Sequence, residues 1–184
     1  MNSPLVRSST IGYFVLFLLS GGLLWGQGRL REVFGPPGWS DLAAHLLIGA
    51  LMAAGVLTGS RALRGSFGWA RQLEEEFSIL LSPLTTADAL ILASTSGFVE
   101  ELFFRATLQP VFGLWVTSLA FGLLHYPVNR RMIPWTVLAT LLGLVFGVVY
   151  DRTGSLLAVS LAHGLINLVE LMTIVRAGAA KASG

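Results

Sequence analysis

Six apolar runs dominate this chain, at residues 11–25, 42–57, 85–109, 111–126, 133–150 and 156–175, and arginines gather between them. Runs of that length read as membrane spans. Composition agrees: hydrophobic residues make up 54% of the 184 and charged residues 12%, about half the charge of a soluble domain. A soluble protein this apolar has too little polar surface to cover itself. An ordinary cytosolic globule and a disordered chain are both excluded. The expected fold is an all-α polytopic transmembrane helix bundle of about six spans plus an interfacial amphipathic helix, in a single integral membrane domain over 1–184.

The first run has the basic flank of a signal peptide, Arg7, but no clean small-x-small cleavage site follows and further spans come later. It therefore reads as a retained anchor. Gly35-Pro36-Pro37-Gly38 breaks the chain before the second run. Residues 66–81 differ from the spans: Trp69, Leu73, Phe77, Leu80 and Leu81 fall at helical spacing, while Glu74, Glu75 and Glu76 interrupt. That pattern predicts a helix lying in the interface, with the glutamates on a solvated face. Ser82-Pro83 precedes the next span. Pro127 should end a helix near Tyr126, and Ser155, after Thr153-Gly154, is placed to cap the last one.

With six spans, Arg7, Arg61, Arg64, Arg71, Arg130, Arg131, Arg176 and Lys181 share one side, against Arg29, Arg31 and Arg152 on the other. The excess places both termini in the cytoplasm, and a bacterial inner membrane is the expected location. No basic run is interleaved with aromatics on a polar face, so no nucleic-acid partner is expected. The absence of cysteine excludes disulfides, thiolate metal sites and a cysteine nucleophile.

An ionised side chain inside a span costs at least about 2.5–3.5 kcal/mol on insertion scales and needs a reason. Glu100, Glu101 and Arg105 lie within one apolar helix. Glu101 and Arg105 are four apart, in the order that lets them pair along a face. Glu100 points about 100° away and is free for another partner, with Gly97 leaving room for its approach. His125 closes a run that includes Phe121, and His163 and Asn167 share a face of the last helix. One carboxylate, two imidazoles and an amide from three helices have the parts to hold and activate a water. Each also has a bland reading. Glu101 with Arg105 serves as a structural ion pair, His125 as an interfacial residue, and His163 with Asn167 as interhelical glue. His45 and Asp41 lack a matching constellation, and His45 reads as a packing or headgroup contact.

Taken in order, Glu100-Glu101-x-x-x-Arg105, Phe121-x-x-x-His125 and His163-x-x-x-Asn167 resemble the three motifs of the CPBP family, the CAAX proteases and bacteriocin-processing enzymes, over about residues 85–168. Three motifs in order, each on an apolar helix, make the match specific. The resemblance implies an intramembrane endopeptidase of the glutamic type. Glu100 would be the general base for a water that His125 helps to hold. His163 and Asn167 would stabilise the oxyanion, and Glu101, Arg105 and Phe121 would support the site. No cofactor is implied. The substrate would be a membrane-embedded or membrane-anchored protein or peptide: a C-terminal sorting tag, a leader peptide or a CAAX-like tail.

Three rivals use overlapping residues. Glu100, His125 and His163 would suit one divalent metal such as zinc, with all ligands from different helices. Ser96 with His163 would make a serine protease, although the position two before the serine is Ser94 and not the glycine a nucleophile elbow wants. A non-catalytic immunity or scaffold protein would have no need of the full set.

Overall fold

The computed structural model describes residues 4–35, 39–81, 83–126 and 129–182. Pro36, Pro37 and Gly38 of the expected break, Ser82 and Pro127 lie outside the described residues. Helix α1 (Pro4–Gly26) is followed by the short α2 (Leu30–Phe34), α3 (Trp39–Ser66), α4 (Gly68–Leu81) and α5 (Thr86–Glu101). A π-helical segment, Leu102–Leu108, carries α5 into α6 (Gln109–Leu124). A 3-10 turn (Arg130–Met132), α7 (Ile133–Thr153) and α8 (Leu156–Ala182) complete the order. No strand occurs among the described residues, as an all-α bundle requires.

Local chemistry sets the helix ends. Thr85 accepts from Asp88 N at 3.2 Å while Asp88 accepts from Thr85 N, a reciprocal box that satisfies two donors at the start of α5. Gly154, in the left-handed region at φ 64°, stops α7. Ser155 then accepts from Ala158 N at 3.1 Å and starts α8, as its position predicts.

Among the described residues, five helical segments are long and apolar enough to cross a membrane: Pro4–Gly26, Asp41–Ser66, Thr86–Leu124, Arg130–Thr153 and Leu156–Ala177. The protein is thus a multi-pass membrane protein. The expected third and fourth spans are joined in Thr86–Leu124, which Gly113 folds at φ 78°, ψ 166°, a conformation essentially confined to glycine. The Phe104 and Phe121 rings, seventeen residues apart in sequence, meet edge to face at 5.0 Å, so the chain doubles back at Gly113. The returning arm, 114–124, is about 17 Å long. The two runs lie in one helical segment folded at Gly113, which is why six apolar runs yield five candidate segments.

Lipid tails are as apolar as leucine, so helices inside a membrane associate by close packing rather than by burial from water. Helix α8 lies between α3 and α5 and approaches both through glycine. A Cβ on Gly97 of α5 would stand 2.5 Å from Gly164 N, and one on Gly49 of α3 would stand 2.7 Å from Ala158 O. Gly97 is therefore a packing residue and does not leave the room beside Glu100 that its spacing suggests. Outward faces carry exposed Phe14, Leu47, Trp115 and Leu141, as a lipid-facing surface should.

Helix α4 is the interfacial helix, but its glutamates are not simply solvated. Arg64 lies 3.7 Å from Glu74 and 2.9 Å from Glu170. Glu76 accepts from Asn129 at 3.0 Å and Arg131 at 3.2 Å, and only Glu75 of the three is left exposed. Phe77 meets Trp135 edge to face at 5.2 Å. The helix is thereby pinned to α3, to α8 and to the start of α7, at the end of the bundle where most of the arginines lie. Arg29 sits at the opposite end, donating to Ala106 O at 2.7 Å.

Candidate active site

The fold at Gly113 sets the depth of the site. Glu100 precedes it by thirteen residues and His125 follows by twelve, so both lie about 18–20 Å from the turn. Taken as straight helices, the two runs would place these side chains at different depths. The doubled-back arm brings His125 Nε2 to 3.7 Å from Glu100 Oε2. His125 Nδ1 lies 2.7 Å from Phe121 O. A carbonyl only accepts, so Nδ1 carries the proton, and in the neutral ring Nε2 presents its lone pair to the carboxylate.

Glu100 is buried, at 8% exposure. Its Oε1 accepts a hydrogen bond from the Tyr13 hydroxyl at 2.6 Å. Its Oε2 has no hydrogen-bond partner. A buried carboxylate oxygen left without a donor is costly in a native fold. This one, facing the lone pair of His125, is arranged to receive a donor from outside the chain.

Glu101, one residue on, has the opposite surroundings. It is fully buried, with Arg105 Nε at 3.1 Å on Oε2 and His163 Nδ1 at 2.8 Å on Oε1. The expected Glu101–Arg105 pair is present, and His163 joins it across the helix interface. The guanidinium is also fully buried, gives Nη1 to Gln109 Oε1 at 3.1 Å, and stands 5.3 Å from the Phe121 ring centroid. Gln109 hands the chain of bonds on to Gly147 O at 2.9 Å and Asp151 at 2.6 Å. The π-helical segment contributes here: Gln109 N bonds Phe104 O five residues back. Arg29 and Gln27 then satisfy the Ala106 and Thr107 carbonyls.

Because Nδ1 of His163 is held by Glu101, its Nε2 is the nitrogen available to a ligand. Phe146 and Phe121 lie 5.6 and 6.1 Å from its ring. Asn167, a turn further along α8, donates Nδ2 to Ser96 Oγ at 2.8 Å. Ser96 is therefore a partner of the amide. His163 serves Glu101, which leaves a serine–histidine dyad without its hydrogen bond. Glu100 and His125 face each other, His163 is held by Glu101 and Asn167 by Ser96, and Phe121 packs against both imidazoles, at 4.6 and 6.1 Å between ring centres. His45, partly buried on α3, is outside this cluster.

Among the described residues no three His, Asp or Glu side chains are grouped so as to hold a metal ion. Tyr13 occupies one oxygen of Glu100, and Glu101 and Phe121 occupy one nitrogen of each imidazole. An apolar groove of about 290 Å³ runs between α5 and α8, past Ala93, Phe98 and Gly164. The catalytic candidates do not line it; access to them is beside His125, whose side chain is 23% exposed.

Two residues at this site escaped the sequence reading. Tyr13 carries no charge and sits in an apolar run three residues after Thr10, so nothing in the sequence marks its hydroxyl out. Gln109 is a neutral amide whose role depends on the π-helical register.

Comparison with known proteins finds a likeness over the stretch that carries the motifs. The sequence model of the Rce1-like type II CAAX prenyl endopeptidases matches residues 82–169, and the CPBP resemblance of the three motifs is borne out over that segment. Uncharacterized protein YpbD of Bacillus subtilis (strain 168) is 36% identical over 75 residues, which is 40% of this chain and 38% of that protein. The chain therefore spans well under half the length of that relative. No solved structure matches.

Proposed function

We propose that this protein is an intramembrane endopeptidase of the glutamic type, in which Glu100 activates a water for attack on a peptide carbonyl. The observation that carries the reading is the unpartnered Oε2 of Glu100, buried and 3.7 Å from the lone-pair nitrogen of His125. Two acceptors so placed orient a water by taking one proton each, and the oxygen's lone pair then faces outward. On attack, the water oxygen bonds to the carbonyl carbon and Glu100 takes its proton. The oxyanion is met by donors from α8: an N–H of Asn167, and Nε2–H of His163 in the imidazolium form whose charge Glu101 balances. Glu100 returns the proton to the amide nitrogen as the C–N bond breaks, leaving a carboxylic acid, which keeps the water's second proton, and an amine; transfer of that proton gives the carboxylate and the ammonium.

Support for the substrate class comes from the family description, which names CAAX prenyl endopeptidases; a membrane-anchored peptide fits a site reached from within the bundle. A divalent metal would need Glu100, His125 and His163 as a set. That set is not grouped in this geometry, so no step is routed through a metal.

The test is cleavage of internally quenched peptides, with and without a prenylated cysteine, by full-length protein in liposomes. Glu100→Gln and His125→Ala should each lower kcat by at least about 100-fold while remaining folded, and a strong chelator should leave the wild type unchanged. Loss with chelator and restoration by zinc would move the reading to a metalloprotease. Wild-type cleavage by Glu100→Gln would end the glutamic reading.

A further inference from the structure

Helix α1 lies outside the segment that matches the family, 82–169, yet it touches the carboxylate at the centre of the site. Most of α1 faces outward: Ile11, Phe14 and Val15 are 66, 62 and 58% exposed. Tyr13 points the other way, and its hydroxyl donates to Glu100 Oε1 at 2.6 Å. We propose that Tyr13 is a positioning residue for Glu100: its hydrogen bond ties down one carboxylate oxygen and leaves the other as the fixed acceptor for the hydrolytic water.

The geometry behind this is specific. A glutamate has three rotatable bonds and two equivalent oxygens, so an untethered Glu100 has alternatives to the orientation that faces His125. A phenol donor on Oε1 removes that equivalence. Oε2 is then the atom 3.7 Å from His125 Nε2 and the one without a partner. Tyr13 also lies beside Ser96, whose hydroxyl accepts from Asn167. The same phenol thus touches the base and the serine that holds the Asn167 amide. Preorganisation of this kind acts on the chemical step, because the reacting atoms are held before the substrate arrives.

The competing role is a tether that merely holds α1 against the bundle, and Phe17 provides the control. It lies one turn along the same face and meets the Phe98 ring at 6.4 Å without reaching Glu100. The inference rests on Glu100 being the base, so Glu100→Gln is run alongside. Tyr13→Phe removes only the hydroxyl. With the peptide that wild type cleaves best, its kcat should fall about 10- to 100-fold and its KM should stay within about twofold. Phe17→Leu should leave kcat and KM as in wild type.

A second readout needs no substrate. In protein carrying ¹³C-labelled glutamate carboxyls, the signal that disappears in Glu100→Gln should move in Tyr13→Phe and stay in Phe17→Leu. A Tyr13→Phe protein with wild-type kcat and an unmoved carboxyl signal overturns the proposal while leaving Glu100 as base. Equal losses in Tyr13→Phe and Phe17→Leu reduce Tyr13 to a tether. Activity in Glu100→Gln removes the base itself, and the role of Tyr13 with it.

Discussion

Replacing Glu101 by glutamine should break the fold's most heavily charged contact while leaving its shape almost unchanged. The carboxylate receives Arg105 Nε at 3.1 Å and His163 Nδ1 at 2.8 Å, and Glu101 and Arg105 are both fully buried. Each bond has an ionised partner and contributes about 1.5–3 kcal/mol. A glutamine offers a carbonyl to one donor and an amide N–H to the other, so one of the two faces a donor. Arg105 is then left with Gln109 and the Phe121 and Phe104 rings, and its Nη2 has no partner even in the wild type. Removing one member of a buried ion pair costs about 3–5 kcal/mol, because the remaining charge stays desolvated.

For a chain of this size that loss corresponds to a melting temperature lower by roughly 6–20 °C, measurable by differential scanning fluorimetry in detergent. The double variant Glu101→Gln/Arg105→Met supplies the control. With both charges gone, much of the loss in Glu101→Gln should be recovered, whereas independent effects would add. A Glu101→Gln protein that melts with the wild type, or a double variant less stable than either single one, would refute the buried ion cluster. Glu100→Gln should behave in the opposite way, inactive but with a melting temperature near that of the wild type.

Two further outcomes follow from the backbone and from the surface. Gly113→Ala places a side chain at φ 78°, a strain of about 1–3 kcal/mol; activity should fall more than stability, and a variant with full activity would show that the fold-back does not depend on this glycine. At the far end, the hydrogen bond from Arg29 holds the Glu32 carboxyl below its usual range. A lowered folded pKa means the pair stabilises the fold above the unfolded value of about 4.3 and loses that contribution as pH falls through the folded one. Since the Glu32 side chain is 61% exposed, the difference in stability between wild type and Glu32→Gln should be under about 1 kcal/mol near pH 7 and absent near pH 3. A gap persisting at pH 3 would contradict the linkage.

Much of this was legible because membrane spans expose any residue that does not belong in them. Glu100, Glu101, Arg105, His125, His163 and Asn167 stand out against apolar surroundings, and helical spacing alone pairs Glu101 with Arg105. What spacing conceals is register and direction. Periodicity reads 85–109 and 111–126 as two spans, but it carries no sign of the turn at Gly113 or of the shortness of the returning arm. A single glycine between two apolar runs looks like any other. The π-helical segment is equally silent, because its sequence is that of a good helix and its extra residue shows only in the bond from Gln109 N to Phe104 O. Gly97 misled for a related reason: a small residue near a carboxylate suggests an opening, whereas here its space is taken by the backbone of Gly164.

Consecutive glutamates are the least obvious choice for two different tasks, and the helix explains why they suit it. A step of about 100° between neighbours turns Glu101 toward α8 and Glu100 toward the doubled-back arm and α1. On one face the carboxylate meets a guanidinium and an imidazole and becomes a fixed anion of the scaffold. On the other it meets one phenol and one lone pair, and an oxygen remains without a donor. Two chemically identical side chains on a single turn thereby differ in what they can do: one has its oxygens filled by the protein, and the other has an oxygen that only a ligand can fill. The roles follow from the neighbours each face encounters, and those neighbours come from α1, the arm after Gly113 and α8, none of them adjacent to the glutamates in sequence. A substitution that exchanges the partners, rather than the glutamates, should therefore be the more informative perturbation of this site.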